Sequence, residues 1–234
     1  MVKKIILEPA FVLHRRPYKE TSLIVNFFTK NKGKITAVAK GAKRPKSPLR
    51  LIQTPGALLS ISLSGKGSLL NINNCEISHL FSLNYSSLSC LVYLNELLSK
   101  FLEMEDPHEE IFLQYLSVCE ILEQSSQEEI EKKLREFELI LLSEVGYGIN
   151  LETDSITNTP IDEKKKYSFS PSSGFKETSS PKGIIGSDIV NFSKGDFSLI
   201  DTRRTAKNIM REAIDFHLGN KNLNLRQFLK KRGG

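Results

Sequence analysis

Nine cations and no carboxylate lie between Thr21 and Cys75: Lys30, Lys32, Lys34, Lys40, Lys43, Arg44, Lys46, Arg50 and Lys66. Such groups break no bonds by themselves. They neutralise anions, Lys as a compact point charge and Arg as a planar fork matched to two phosphate oxygens. Like charge at this density destabilises a compact fold unless solvent or a polyanion screens it, so the chemistry implied is contact with a phosphate backbone. In TKNKGKITAVAKGAKRPKSPLR, Thr29 to Arg50, a β-like segment with Lys on its shoulders empties into a Gly/Pro/Ser-rich basic loop. Gly41 there allows the backbone to approach a ligand closely. Lys32, Lys34, Lys40, Lys43, Arg44, Lys46 and Arg50 are the candidate nucleic-acid contacts, with Arg15, Arg16 and Lys19 next. Tyr18, beside Pro17, is the candidate platform for stacking a base, whereas Phe27 and Phe28 read as core filling.

Other chemistries lack their residues. The acidic groups Glu103/Glu105/Asp106, Glu109/Glu110 and Glu128/Glu129/Glu131 fall at expected helix ends and polar helix faces, where carboxylates suit the helix dipole. His14, His79, His108 and His217 share no ligand spacing, and Cys75, Cys90 and Cys119 form neither a C-x-x-C pair nor a disulfide framework. There is no phosphate-binding Gly-Lys loop and no nucleophile elbow. The basic part carries only Glu8 and Glu20 before Glu76, too few acids for a nuclease. The expectation is a protein that is not an enzyme, holds no metal and needs no cofactor.

The charge is bipolar. Of 234 residues, the first 75 hold 14 Lys/Arg against 2 acids, and the remainder holds 19 against 25, within an overall charge of +6. One part is expected to meet a polyanion while the rest serves as scaffold or meets proteins. Glu8 and Pro9 interrupt the N-terminal apolar run, and no apolar stretch approaches 18 residues, so a soluble, cytoplasmic protein is expected.

Short β-branched or aliphatic runs at Ala10 to His14, Ser22 to Phe28, Lys34 to Lys40, Ala57 to Leu63 and Leu69 to His79 predict five strands. In Leu23 to Phe28 both faces are apolar, as suits a small barrel whose outside is partly covered. Five strands in about 80 residues fit an OB-type barrel. After residue 82 the period becomes 3.6. Helices are predicted from Leu88 to Leu102, from Glu109 to Glu123, and from a capping box at Ser126/Glu129 to Gly146. Residues 150–185 read as an irregular excursion anchored by Tyr167, Phe169 and Phe175. A later helix starts near Asp201 and ends at Gly219, and a last turn surrounds Leu225, Phe228 and Leu229. The expected class is α+β, with an OB-fold nucleic-acid-binding domain at 1–80 and a helical domain at 81–234.

Further runs carry a resemblance: His14-Arg-Arg-Pro-Tyr-Lys-Glu-Thr-Ser-Leu23, Phe28-Thr29, Ala37 to Arg44, Tyr93 to Lys100, Leu134 to Leu139, Gly146-Tyr-Gly148, Ser173-Gly-Phe175 and Arg226 to Leu229. In this order and over the whole chain they resemble the RecO family of bacterial recombination mediators. The resemblance implies an OB-fold domain joined to a helical domain, binding of single- and double-stranded DNA, and annealing of complementary strands. It also implies interaction with RecR and with the C-terminal tail of single-stranded DNA-binding protein, which helps RecA load onto coated strands in double-strand break and gap repair at the nucleoid. Many family members carry a four-cysteine zinc module where this chain has residues 150–185. With no cysteine after Cys119, Asp154, Asp162 and Glu163 alone cannot rebuild it. For the acidic tail, Arg135 is the candidate cation, with Arg203, Arg204, Lys207 and Arg211 as alternatives. The rival readings are an RNA-binding OB protein acting on ribosomes or messages, and a nuclease.

Overall fold

The computed structural model describes residues 3–219 and residue 223. The last turn expected around Leu225, Phe228 and Leu229 lies outside the described residues. The chain forms two compact units, residues 3–124 with Leu223, and residues 125–219.

In the first unit, β1 (Lys3–Tyr18), β2 (Ser22–Thr29), β3 (Gly33–Ala39), β4 (Ala57–Gly65) and β5 (Leu69–Leu80) close a barrel in the order β1-β2-β3-β5-β4. All neighbours are antiparallel except β3 and β5, which pair in parallel only from Thr36↔Leu69 to Val38↔Asn71. Alternation decides what fills the barrel: Val25, Phe27, Ala37, Leu59, Ile61 and Leu63 point inward and are fully buried. β1 is longer than its sequence pattern, because bulges at Ile5/Glu8 and Val12/His14 re-aim a strand whose apolar alternation is broken there.

Two helices of the same unit, α1 (Tyr85–Phe101) and α2 (Glu109–Gln124), account for the apolar outer face of β2. Phe28 lies 5.5 Å from Phe112, and Phe11 lies 4.7 Å from Tyr115 edge-on. Each such pair adds about 0.5–1.5 kcal/mol beyond the area it buries. The Tyr115 hydroxyl donates to Asn95 Oδ1 at 2.6 Å, and Asn95 Nδ2 donates to the Val12 carbonyl, so the layer also has a fixed register.

In the second unit, α3 (Gln127–Glu144) opens with the capping box expected at Ser126 and Glu129. It packs with α5 (Ile200–Leu218), which in turn packs on α4 (Gly186–Ser193), a short helix without a strong sequence signal. Between α3 and α4 the excursion is more regular than composition suggests: β6 (Lys166–Ser170), β7 (Gly174–Glu177) and β8 (Ile184–Ile185) form a small sheet. Tyr167 and Phe175 are its buried anchors. Its organiser is Asp154, 3% exposed, whose carboxylate accepts from the backbone N–H groups of Ile156, Thr157 and Glu177 at 2.7–2.9 Å. These donors hold its pKa down at about 2. A depressed carboxylate stabilises the fold fully above its unfolded value near pH 4, and that stabilisation fades as pH falls through about 2. Asp154→Ala is therefore expected to lower the neutral-pH melting temperature and to flatten the acid limb of the stability profile between pH 4 and 2. Thermal melts across that range check both outcomes.

Candidate nucleic-acid interface

β3 ends at Ala39, and the chain turns away through Gly41, whose φ of +71° is comfortable only for glycine. The connection from Lys40 to Gly56 is tied down at several points. Ala42 and Ile52 are fully buried in the barrel core, and the 3₁₀ helix Pro48–Gln53 is capped by the Ser47 side chain. Lys43 N donates to Thr21 O at 2.9 Å and Gln53 Nε2 donates to Ala42 O at 3.1 Å, which joins the connection to the β1–β2 turn. With Ala42 and Ile52 turned in, Lys40, Lys43, Arg44, Lys46 and Arg50 must point out, and all five are exposed. Arg50 is steadied by a bond from Nη1 to Pro45 O at 3.1 Å.

Arg16 and Lys19, at the neighbouring end of β1, are also exposed, as is Arg15 one residue back along the strand. Lys3, Lys30 and Lys100 of this unit form ion pairs, whereas among the described residues these eight form none. Glu20 is the one acid in the turn. Eight cations without carboxylate partners on one barrel end make a surface suited to a strand of phosphates. Tyr18 is half-buried and Lys19 Nζ sits 5.5 Å above its ring, so a stacking base must displace that ammonium. Phe27 and Phe28 are wholly buried and take no part.

Two residues of the expected set sit elsewhere. Lys34 is buried at 9% exposure, and its ammonium donates to the Ser99 carbonyl of α1 at 2.7 Å. It faces outward on β3, but the helices cover that face, so it fastens α1 to the barrel and is not a phosphate contact. Lys32 is exposed in the β2–β3 turn, at the opposite end of β2. Eight strand residues span about 25 Å, well beyond the roughly 8 Å screening length at physiological salt. Lys32 is therefore electrically separate from the cluster around Lys43.

Possible reactive groups are quiet. Burial, reinforced by Glu76 and Glu120, pushes the thiols of Cys75 and Cys119 up to about 12, so both stay protonated. Among the described residues, no three His, Cys, Asp or Glu converge to hold a metal ion. The acidic groups are engaged structurally: Glu109 with Lys30, Glu128 with Arg203 and Glu129 in its cap.

In the second unit, Arg135 lies on α3 with Nη1 2.8 Å from Oε2 of the fully buried Glu138. Its charge neutralises that carboxylate and is mostly covered. Beside it is a recess of ≈ 160 Å³ lined by Leu134, Phe197, Arg203 and Lys207 among others. That is close to the roughly 150 Å³ cavities that accept benzene. Arg203 binds Glu128 and the Phe197 carbonyl, leaving Lys207 as the exposed cation of the rim. Phe197 escaped the sequence reading because it stands between helices with no periodic neighbours.

Residues 2–81 match the family profile described as Recombination protein O N terminal, and residues 82–227 match Recombination protein O C terminal. The chain belongs to the RecO family. It is similar to the DNA repair protein RecO of Actinobacillus pleuropneumoniae serotype 7, at 36% identity over 94% of this chain and 92% of the relative. It is similar also to that of Nitrosospira multiformis, at 37% over 96% and 94%, and of Methylococcus capsulatus, at 34% over 97% and 94%. The RecO match spans both units and includes the basic connection. No described helix is long and apolar enough to cross a membrane.

Because Lys34 is a fastener, Lys34→Met is expected to lower the melting temperature and leave oligonucleotide affinity of the folded protein within twofold. Arg44→Glu is expected to do the reverse. Fluorescence anisotropy alongside thermal melting separates the two.

Proposed function

We propose that this protein is a DNA repair and recombination mediator that binds single strands on the basic end of its barrel and anneals them without catalysing any covalent step. The observation that carries the reading is the cluster of Arg15, Arg16, Lys19, Lys40, Lys43, Arg44, Lys46 and Arg50, none of them in an ion pair among the described residues. These cations neutralise phosphates, which lowers the repulsion between two approaching strands and permits pairing without nucleotide hydrolysis. Residues 1–80 form the nucleic-acid-binding domain in this reading, and 81–234 the helical domain. Stacking is sparse, so base preference is weak, as suits a protein acting anywhere on a chromosome.

Family membership supports the finer reading. The protein works in the cytoplasm at the nucleoid and cooperates with RecR. It docks the acidic C-terminal tail of single-stranded DNA-binding protein, and thereby helps RecA replace that protein on the strand. The tail site is the recess between α3 and α5: an apolar side chain enters beside Leu134 and Phe197, and Lys207 meets the carboxylates. Arg135 shapes this recess by holding Glu138.

If about five cations touch phosphate, log affinity for a single strand falls with log salt at a slope of roughly 3 to 4. A salt titration showing a flat response refutes the phosphate reading. Annealing of complementary strands coated with single-strand binder is expected to drop about tenfold or more in Lys40→Glu/Lys43→Glu/Arg44→Glu; equal rates overturn it. Competition between RNA and DNA of equal length decides the rival RNA reading, because only contacts to the 2′-hydroxyl tell them apart. Lys207→Glu is expected to weaken binding of the tail peptide and leave oligonucleotide affinity unchanged.

A further inference from the structure

The barrel closes over its shortest pairing at β3 and β5. β3 and β5 pair only from Thr36 onward, and before Thr36 the edge of β3 is bridged instead by Met104. Glu105 N donates to Lys34 O at 2.9 Å, with Glu105 itself at φ +60°. Gly33 accepts this segment against itself: a Cβ there would lie 2.1 Å from the Asp106 carbonyl oxygen, so no other residue fits. Beside this seam is a cavity of ≈ 380 Å³, within the range of small-ligand and peptide side-chain sites. Its apolar wall is Ile5, Ile35 and Leu70, with Pro107 beside them. Lys4 and Lys32 stand on it, both exposed and, among the described residues, without an ion pair. Lys3 also lines it, but its ammonium is paired with Glu105. Immediately after Ile5, the β1 bulge turns Ile6 and Leu7 outward at 61% and 62% exposure, with Leu7 at φ +49°.

We propose that this cavity is a docking site for an acidic protein segment bearing an aliphatic side chain, with Lys4 and Lys32 meeting its carboxylates and Ile5, Ile35 and Leu70 receiving the side chain. Charge complementarity argues for the acidic partner. The wall argues for a peptide against a nucleic acid: it is aliphatic, and among the described residues no aromatic ring lines it on which a base can stack. The site lies at the Lys32 end of β2, so an occupant would leave the cluster around Lys43 free. The barrel then holds a strand at one end and a protein at the other. This assignment stands independently of what the basic end binds.

The probe is a fluorescein-labelled peptide of alternating Asp and Leu, titrated with the full chain and followed by anisotropy. Saturable binding is expected, weakened about tenfold or more by Lys4→Glu/Lys32→Glu and unchanged by Lys40→Glu/Lys43→Glu. Glu105→Gln, which releases Lys3 from its partner, is expected to tighten binding. A saturating single-stranded oligonucleotide should not displace the peptide. Absence of binding, displacement by the oligonucleotide, or equal affinity in the Lys4→Glu/Lys32→Glu variant each overturns the assignment. A loss of oligonucleotide affinity in that variant, as large as that from reversing Lys40 and Lys43, would instead make the cavity part of the nucleic-acid track. Failure of oligonucleotide binding with retained peptide binding would strike the basic-end reading and leave this one intact.

Discussion

The basic surface depends on the burial in the barrel core of Ala42 and Ile52, which with Leu49 and Leu51 packed against that core are the apolar anchors of a Gly/Pro/Ser-rich connection of seventeen residues, Lys40 to Gly56. Ordering such a segment costs on the order of 1–2 kcal/mol per residue in backbone entropy. Two buried side chains, a capped 3₁₀ helix and the bonds from Lys43 and Gln53 work against that cost. Their geometry also sorts the side chains: once Ala42 and Ile52 point in, the intervening cations have no inward option. Arrangement before encounter reduces what a phosphate strand must supply in ordering when it binds.

Charge repulsion then shapes the rest of the barrel. At the basic end the cations have no carboxylate partners among the described residues. At the other end, Lys3 and Lys30 are paired with Glu105 and Glu109, and Glu8 binds the β2–β3 turn through Asn31. The separation exceeds a Debye length, so each end can be read by a different kind of anion. α1 and α2 contribute by covering the outer face of β1, β2 and the start of β3, removing Phe11, Phe28 and Lys34 from solvent. What looks in sequence like a continuous basic stripe is in space two distinct poles and one internal fastener.

In the second unit a single carboxylate organises the segment between α3 and α4. Asp154 gathers three backbone donors from two segments, and Tyr167 and Phe175 supply the apolar side of the same small fold. A carboxylate that accepts several N–H groups is well solvated by the protein, which is why it remains ionised well into acid.

The local signals determined much by themselves. Period-2 runs marked the five barrel strands, the 3.6-residue stripes marked α1, α2, α3 and α5 but not α4, and the Ser126/Glu129 box placed the start of α3. These are short-range properties, carried by residues a few positions apart. Only tertiary structure decided that Lys34 turns against Ser99, that Lys32 stands a strand's length from Lys43, and that Arg135 serves the buried Glu138. It also set Phe197 beside Leu134, and Lys4 beside Lys32 around the seam of the barrel. Strand pairing and helix packing join positions far apart in the chain, and a side chain's neighbours, not its type, decide whether its charge is displayed or consumed.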